Sequence, residues 1–117
     1  MQFYAVLLPV ATLLAATANA AECVSQHGSQ RCVDSTDLLT NREVFCNSPN
    51  NYLAENQVYE FYGANDYMGI FSPHNIPNQQ ACWDSTLDII DQCLGHRNGG
   101  SYSVDGWEME INFCAFE

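Results

Sequence analysis

The sequence predicts an α+β domain: a four-stranded antiparallel sheet made of two hairpins, packed with two helices and tied by three disulfides. Three observations predict it. Apolar residues recur at helical spacing in two stretches, near residues 38–46 and 82–94. Each stretch is followed by two short runs of strand character around a turn-forming link. All six cysteines, an even number, lie beyond residue 20.

The first twenty residues read as a leader. Phe3 to Ala16 is apolar apart from Pro9 and Thr12, and Ala18-Asn19-Ala20 supplies the small-x-small pattern cut by signal peptidase, which places cleavage after Ala20. The run is shorter than the ~20 residues a bilayer span needs. No Lys or Arg precedes it, so the terminal amine is its only positive charge. Residues 21–117 are then expected to form a single disulfide-stabilised secreted domain. A chain this short has a thin margin of stability. Each disulfide adds about 2–4 kcal/mol to it.

Residues 21–33 read as an irregular, disulfide-tethered arm. Asp34, Ser35 or Thr36 can then cap a first helix carrying Leu38, Leu39, Phe45 and Cys46 on its apolar side. The run Asn47-Ser48-Pro49-Asn50-Asn51 stops it. Strands follow at Gln57–Tyr62 and Tyr67–Ser72, linked by Gly63-Ala64-Asn65-Asp66, and residues 73–80 form a loop. A second helix over about Gln80–Leu94 buries Cys82, Thr86, Ile89, Ile90, Cys93 and Leu94, shows Asp84, Asp88 and Asp91 to solvent, and ends at Gly95. The last hairpin is the clearest. Trp107, Met109, Ile111 and Phe113 alternate with Glu108, Glu110 and Asn112, and Asp105-Gly106 turns the chain from a partner strand at Ser101–Val104. Cys114 shares parity with the polar residues, so a bulge or the strand's end must reorient it.

The cysteines, Cys23, Cys32, Cys46, Cys82, Cys93 and Cys114, include no C-x-x-C pair and read as disulfides rather than zinc ligands. Cys82 and Cys93 stand eleven residues apart on one helix, about 16 Å at 1.5 Å per residue. Bridged Cα atoms lie within ~7 Å, so these two cannot pair. The same reasoning separates Cys32 from Cys46. About ten of the fifteen connectivities that six cysteines allow remain open.

Fourteen acidic residues against three arginines give a formal charge of −11. That charge repels phosphate backbones and anionic lipid surfaces, which argues against nucleic-acid and membrane partners. His27, His74 and His96 have no metal-ligand spacing between them, so neither metal nor cofactor is expected. No serine lies in a G-x-S-x-G elbow. A small secreted guanyl-type ribonuclease places His, Glu, Arg and His in chain order, and here no histidine follows Arg97. No catalytic residue is therefore assigned. Glu108 and Glu110 have a spacing compatible with paired-carboxylate chemistry, yet a chain this small offers little room for a cleft, and a charged solvent face is the simpler account.

The aromatic content points elsewhere. On the first hairpin Tyr59 and Phe61 face one way, and Val58, Glu60 and Tyr62 the other, which displays Tyr62 beside a carboxylate. A flat ring next to carboxylates or amides is a sugar-binding combination. Tyr62, Tyr67, Asp105, Glu108 and Glu110 are the candidate ligand-binding residues; Trp83 and Trp107 read as core.

The run Cys82-x10-Cys93, then Gly99-Gly100-Ser101-Tyr102, Trp107 and Asn112-Phe113-Cys114, resembles fungal small secreted cysteine-rich proteins. It is most similar to the mushroom glycan-binding proteins, over roughly Thr36 to Cys114. The resemblance implies a secreted, non-catalytic carbohydrate-binding module. The ending Cys114-Ala115-Phe116 resembles instead the fungal extracellular necrosis-inducing effectors, which implies the alternative of an effector acting on a host surface or microbial protein target.

Overall fold

A computed structural model describes residues 21–24, 32–64, 66–95 and 97–115, Ala115 by its backbone alone. The proposed leader, His27, Arg31, Asn65, His96 and Phe116 lie outside the described residues.

Helix α1 (Ser35–Cys46) starts where Asp34 accepts a hydrogen bond from the Asp37 amide at 2.9 Å, satisfying one of the free donors of the first turn. It buries Leu38, Phe45 and Cys46, while Leu39, expected inside, is exposed. Helix α2 (Pro49–Tyr52) follows at once. The proline that ends α1 opens the next turn, because its fixed φ suits the first helical position and its missing N–H is not needed there. This short helix buries Tyr52. Helix α3 (Gln79–Cys93) is capped by the Asn78 side chain, which accepts from the Ala81 amide at 2.8 Å. It buries Cys82, Thr86, Ile89, Ile90 and Cys93 along one stripe.

The strands are β1 (Glu22–Val24), β2 (Tyr59–Tyr62), β3 (Met68–His74), β4 (Gly99–Val104) and β5 (Trp107–Ala115). They form one antiparallel sheet in the order β1-β4-β5-β3-β2, so the two hairpins join through β3 against β5. The expectation of four strands and two helices is thereby corrected to five strands and three helices among the described residues. Both extra elements are too short to show periodicity in sequence. β1 lies within the stretch expected to be an irregular arm, and α2 within the stretch expected to stop the first helix. β3 also runs two residues further than expected, through Pro73 and His74. Pro73 falls beyond the last β2 pair, Tyr59 opposite Phe71, where that side of β3 is open and a missing N–H breaks no ladder bond.

All the helical packing is on one face of the sheet. Phe45 of α1 meets Phe71 edge-on at 5.0 Å and Tyr59 at 5.4 Å, and Phe61 closes the ring cluster at 5.4 Å from Phe71. Helix α3 covers β1, β4 and β5. Arg42 bridges the helices: it donates to Thr86 Oγ1 and the Trp83 carbonyl, both at 2.9 Å, and lies over the Trp83 ring. The disulfides are Cys23–Cys93, Cys32–Cys114 and Cys46–Cys82, so neither Cys82–Cys93 nor Cys32–Cys46 forms. Gly100 makes the first possible. A Cβ there would sit 2.7 Å from Cys93 Sγ and 2.7 Å from the Glu22 carbonyl, so only glycine lets β1 and α3 close over β4. At the C-terminal end of β5 the register against β3 slips between Met68 and Ile70, and Phe113 and Cys114 are buried consecutively. That irregularity turns Cys114 inward to Cys32.

Candidate functional site

The opposite face of the sheet carries no described element. Residues paired across strands point to the same side, so the register places Glu22, Ser101, Ser103, Glu108, Glu110, Asn112, Ser72, His74, Glu60 and Tyr62 together on it, with Val24 and Ile70 among them. The composition is acidic and hydroxyl-rich. His74 Nε2 lies 3.7 Å from Glu110 Oε1, both side chains about half exposed (50% and 52%).

At one end of this face the chain builds a cleft of about 490 Å³, within the range of small-molecule sites. His74 and Asn75, where β3 ends, form one wall, and the β4–β5 hairpin from Ser103 to Glu108 forms the rest. The turn is a two-residue type with φ of 29° at Asp105 and 90° at Gly106, which matches the twist of the strands and demands a residue pair tolerant of positive φ. Asn75, itself at φ 59°, donates from Nδ2 to the Gly106 carbonyl at 3.4 Å and ties the two walls together. Trp107 is half-buried and stacks on Tyr102 at 5.6 Å. Burial raises the Tyr102 phenol above its ordinary pKa, and Asp88 and Asp84 of α3 add to the rise. The phenol therefore stays neutral at physiological pH.

The five sequence-derived candidates fall into two groups. Asp105 and Glu108 line the cleft, and Glu110 follows Glu108 on the same face. Tyr62 is 58% exposed and shares its face with Glu60, as the alternation required. It pairs with Met68, six residues along β3 from His74, which is about 20 Å at 3.3 Å per residue. Tyr67 is half-buried against the core at that same far end. One sugar ring cannot touch both groups.

His74, Asn75 and Trp107 also line the cleft and are not among the sequence-derived candidates. The available signal was Asp105-Gly106: a two-residue turn brings its flanking residues to one tip. Among the described residues no cluster of His, Cys, Asp and Glu could hold a metal ion, and no helix is long and apolar enough to cross a membrane.

A half-open antiparallel sheet with a polar face and a terminal cleft defines a small, disulfide-rich binding module. A family model described as alpha-galactosyl binding lectin matches residues 34–117, and the chain belongs to that family. No curated protein and no solved structure matches it. It is a non-catalytic carbohydrate-binding protein.

Proposed function

We propose that this lectin is exported and binds neutral glycans ending in α-linked galactose, with the sugar seated in the cleft between the end of β3 and the β4–β5 hairpin. The observation that carries the reading is the cleft at the hairpin tip, where Trp107, whose ring packs with Tyr102 against the core, borders polar groups of the open face that have no other work. The carboxylates of Asp105 and Glu108 and the Ser103 hydroxyl make no hydrogen bond or ion pair to another described residue. Sugars are recognised by that combination: an aromatic surface for the C–H face, and acceptors for the hydroxyls. The family supplies the α-galactosyl specificity. Four carboxylates on the open face, Glu22, Glu60, Glu108 and Glu110, favour a neutral ligand, since each repels an anionic sugar. Export follows from the leader-like first twenty residues, which also suit the disulfides to their compartment.

A glycan array probed with the oxidised protein tests this. Terminal α-galactosides should bind, be competed by methyl α-galactoside, and lose the protein when capped with sialic acid. A blank array from folded protein would overturn the reading.

A further inference from the structure

Ala21 is the residue that would follow the leader, and it is already part of the fold. Its side chain packs against the core, and β1 begins one residue later at Glu22. Its backbone nitrogen lies 3.2 Å from Asp88 Oδ2 on α3, a partly buried contact across 67 residues of sequence. The acceptor is a carboxylate, whereas an ordinary backbone amide needs only a neutral one. Elsewhere β1 is held by its ladder to β4 and by Cys23–Cys93 to the last residue of the same helix.

We propose that hydrolysis of the Ala20–Ala21 bond creates an α-ammonium that pairs with Asp88 and locks β1 onto α3, so that leader removal completes the fold. One water adds across the amide, Ala20 leaves as a carboxylate, and Ala21 keeps the amine, which takes up a proton at neutral pH. A contact with one ionised partner, the Asp88 carboxylate, becomes an ion pair with both partners charged at the same site. The proposal rests on the export reading only for the cut itself; the pairing is a property of Ala21 and Asp88.

The pairing carries a pH signature. An α-amine titrates near 8 in an unfolded chain, and a carboxylate partner raises that value in the fold. The added stability is therefore complete below about pH 8 and is lost as pH rises through the raised value. The other titratable groups on the elements around it are Asp84 and Asp91 of α3, Glu22 of β1 and Tyr102 of β4. Carboxylates titrate in acid and phenols near 10 or above, so the window between belongs to the amine.

The test is to express the full chain in a secreting host, find the first residue of the exported protein by mass spectrometry, and melt it from pH 6 to 10. The exported chain should begin at Ala21, and its melting temperature should fall by about 2–4 °C across pH 8–10, the size expected for a partly exposed pair. Asp88→Asn should lower the melting temperature at pH 7 and remove that fall. In protein whose amine is displaced by one added residue before Ala21, the same substitution should change little. Export without a cut, or a different first residue, overturns the processing step. A correct N-terminus with equal Asp88→Asn effects in both proteins overturns the ion pair.

Discussion

The two hairpins of this sheet are built from the same antiparallel ladder and use their side chains in opposite ways. In β2–β3 the polar groups serve the fold. Asp37 of α1 accepts from the Ala64 amide at 3.0 Å, Gly63 donates to the Tyr67 carbonyl at 2.8 Å, and the Tyr59 hydroxyl donates to Asn41 at 3.0 Å. Its rings fill the core with Phe45. In β4–β5 the first inner residue is a glycine, Gly100, the turn is two residues long, and the outward carboxylates and hydroxyls have no partner among the described residues apart from Glu110 with His74. The difference separates scaffold from site: a polar group already bonded within the fold has little to offer a ligand, and one held rigidly in solvent has its full capacity.

The largest expected effect breaks this comparison at its sharpest point. Trp107→Ala should weaken α-galactoside binding tenfold or more, on the ~1–3 kcal/mol scale of a buried aromatic contact. Tyr62→Ala, about 20 Å away along the sheet, should change it less than twofold. Titration calorimetry with methyl α-galactoside measures both. Because Trp107 also supports Tyr102, Glu108→Gln serves as a second cleft variant that leaves the rings in place; it should weaken binding severalfold with an unchanged near-UV spectrum. A dominant Tyr62 would move the site to the other end.

Much of this architecture was legible in the sequence because its long elements repeat. β5 shows four periods of alternation, α3 three turns of stripe, and parity alone flagged the irregularity at Cys114. The unread parts are short or long-range. Three residues of β1 and four of α2 span no full pattern, and Pro49 reads equally as the end of one helix or the start of another. The site was half legible for the same reason. Asp105, Glu108 and Glu110 are local to one hairpin, so their proximity is readable. Whether Tyr62 joins them depends on how β3 registers against β5, a long-range pairing that no local pattern encodes. His74 and Asn75 reach the cleft only through that same pairing.

A second test sharpens the scaffold side. Gly69 faces the Phe61 ring, and a Cβ there would stand 2.4 Å from the nearest ring carbon, with two more within 3.1 Å. Phe61 is hemmed in by Phe71 and Tyr59, so it has nowhere to retreat. Gly69→Ala should destabilise the protein by about 1–3 kcal/mol, the usual penalty of overpacking, in urea unfolding. Sugar affinity of the folded fraction should not change. Equal losses of stability and affinity would mean the hairpins act as one unit and the division is false.

The smallest expected difference compares one phenol from each hairpin. Burial raises the pKa of both Tyr59 and Tyr102, and Asp88 and Asp84 add to the effect at Tyr102. In each case the fold prefers the neutral form. That contribution is fully present below the unfolded value near 10 and is lost as pH rises through the raised folded value. Tyr59→Phe forfeits the bond to Asn41 and should cost about 1 kcal/mol at pH 7. Tyr102→Phe keeps the ring on Trp107 and loses no hydrogen bond within the described chain, so its melting temperature at pH 7 should match the wild type, with a shallower decline above pH 10. A loss at pH 7 from Tyr102→Phe equal to that from Tyr59→Phe would show that the second hairpin, too, depends on its polar groups to fold.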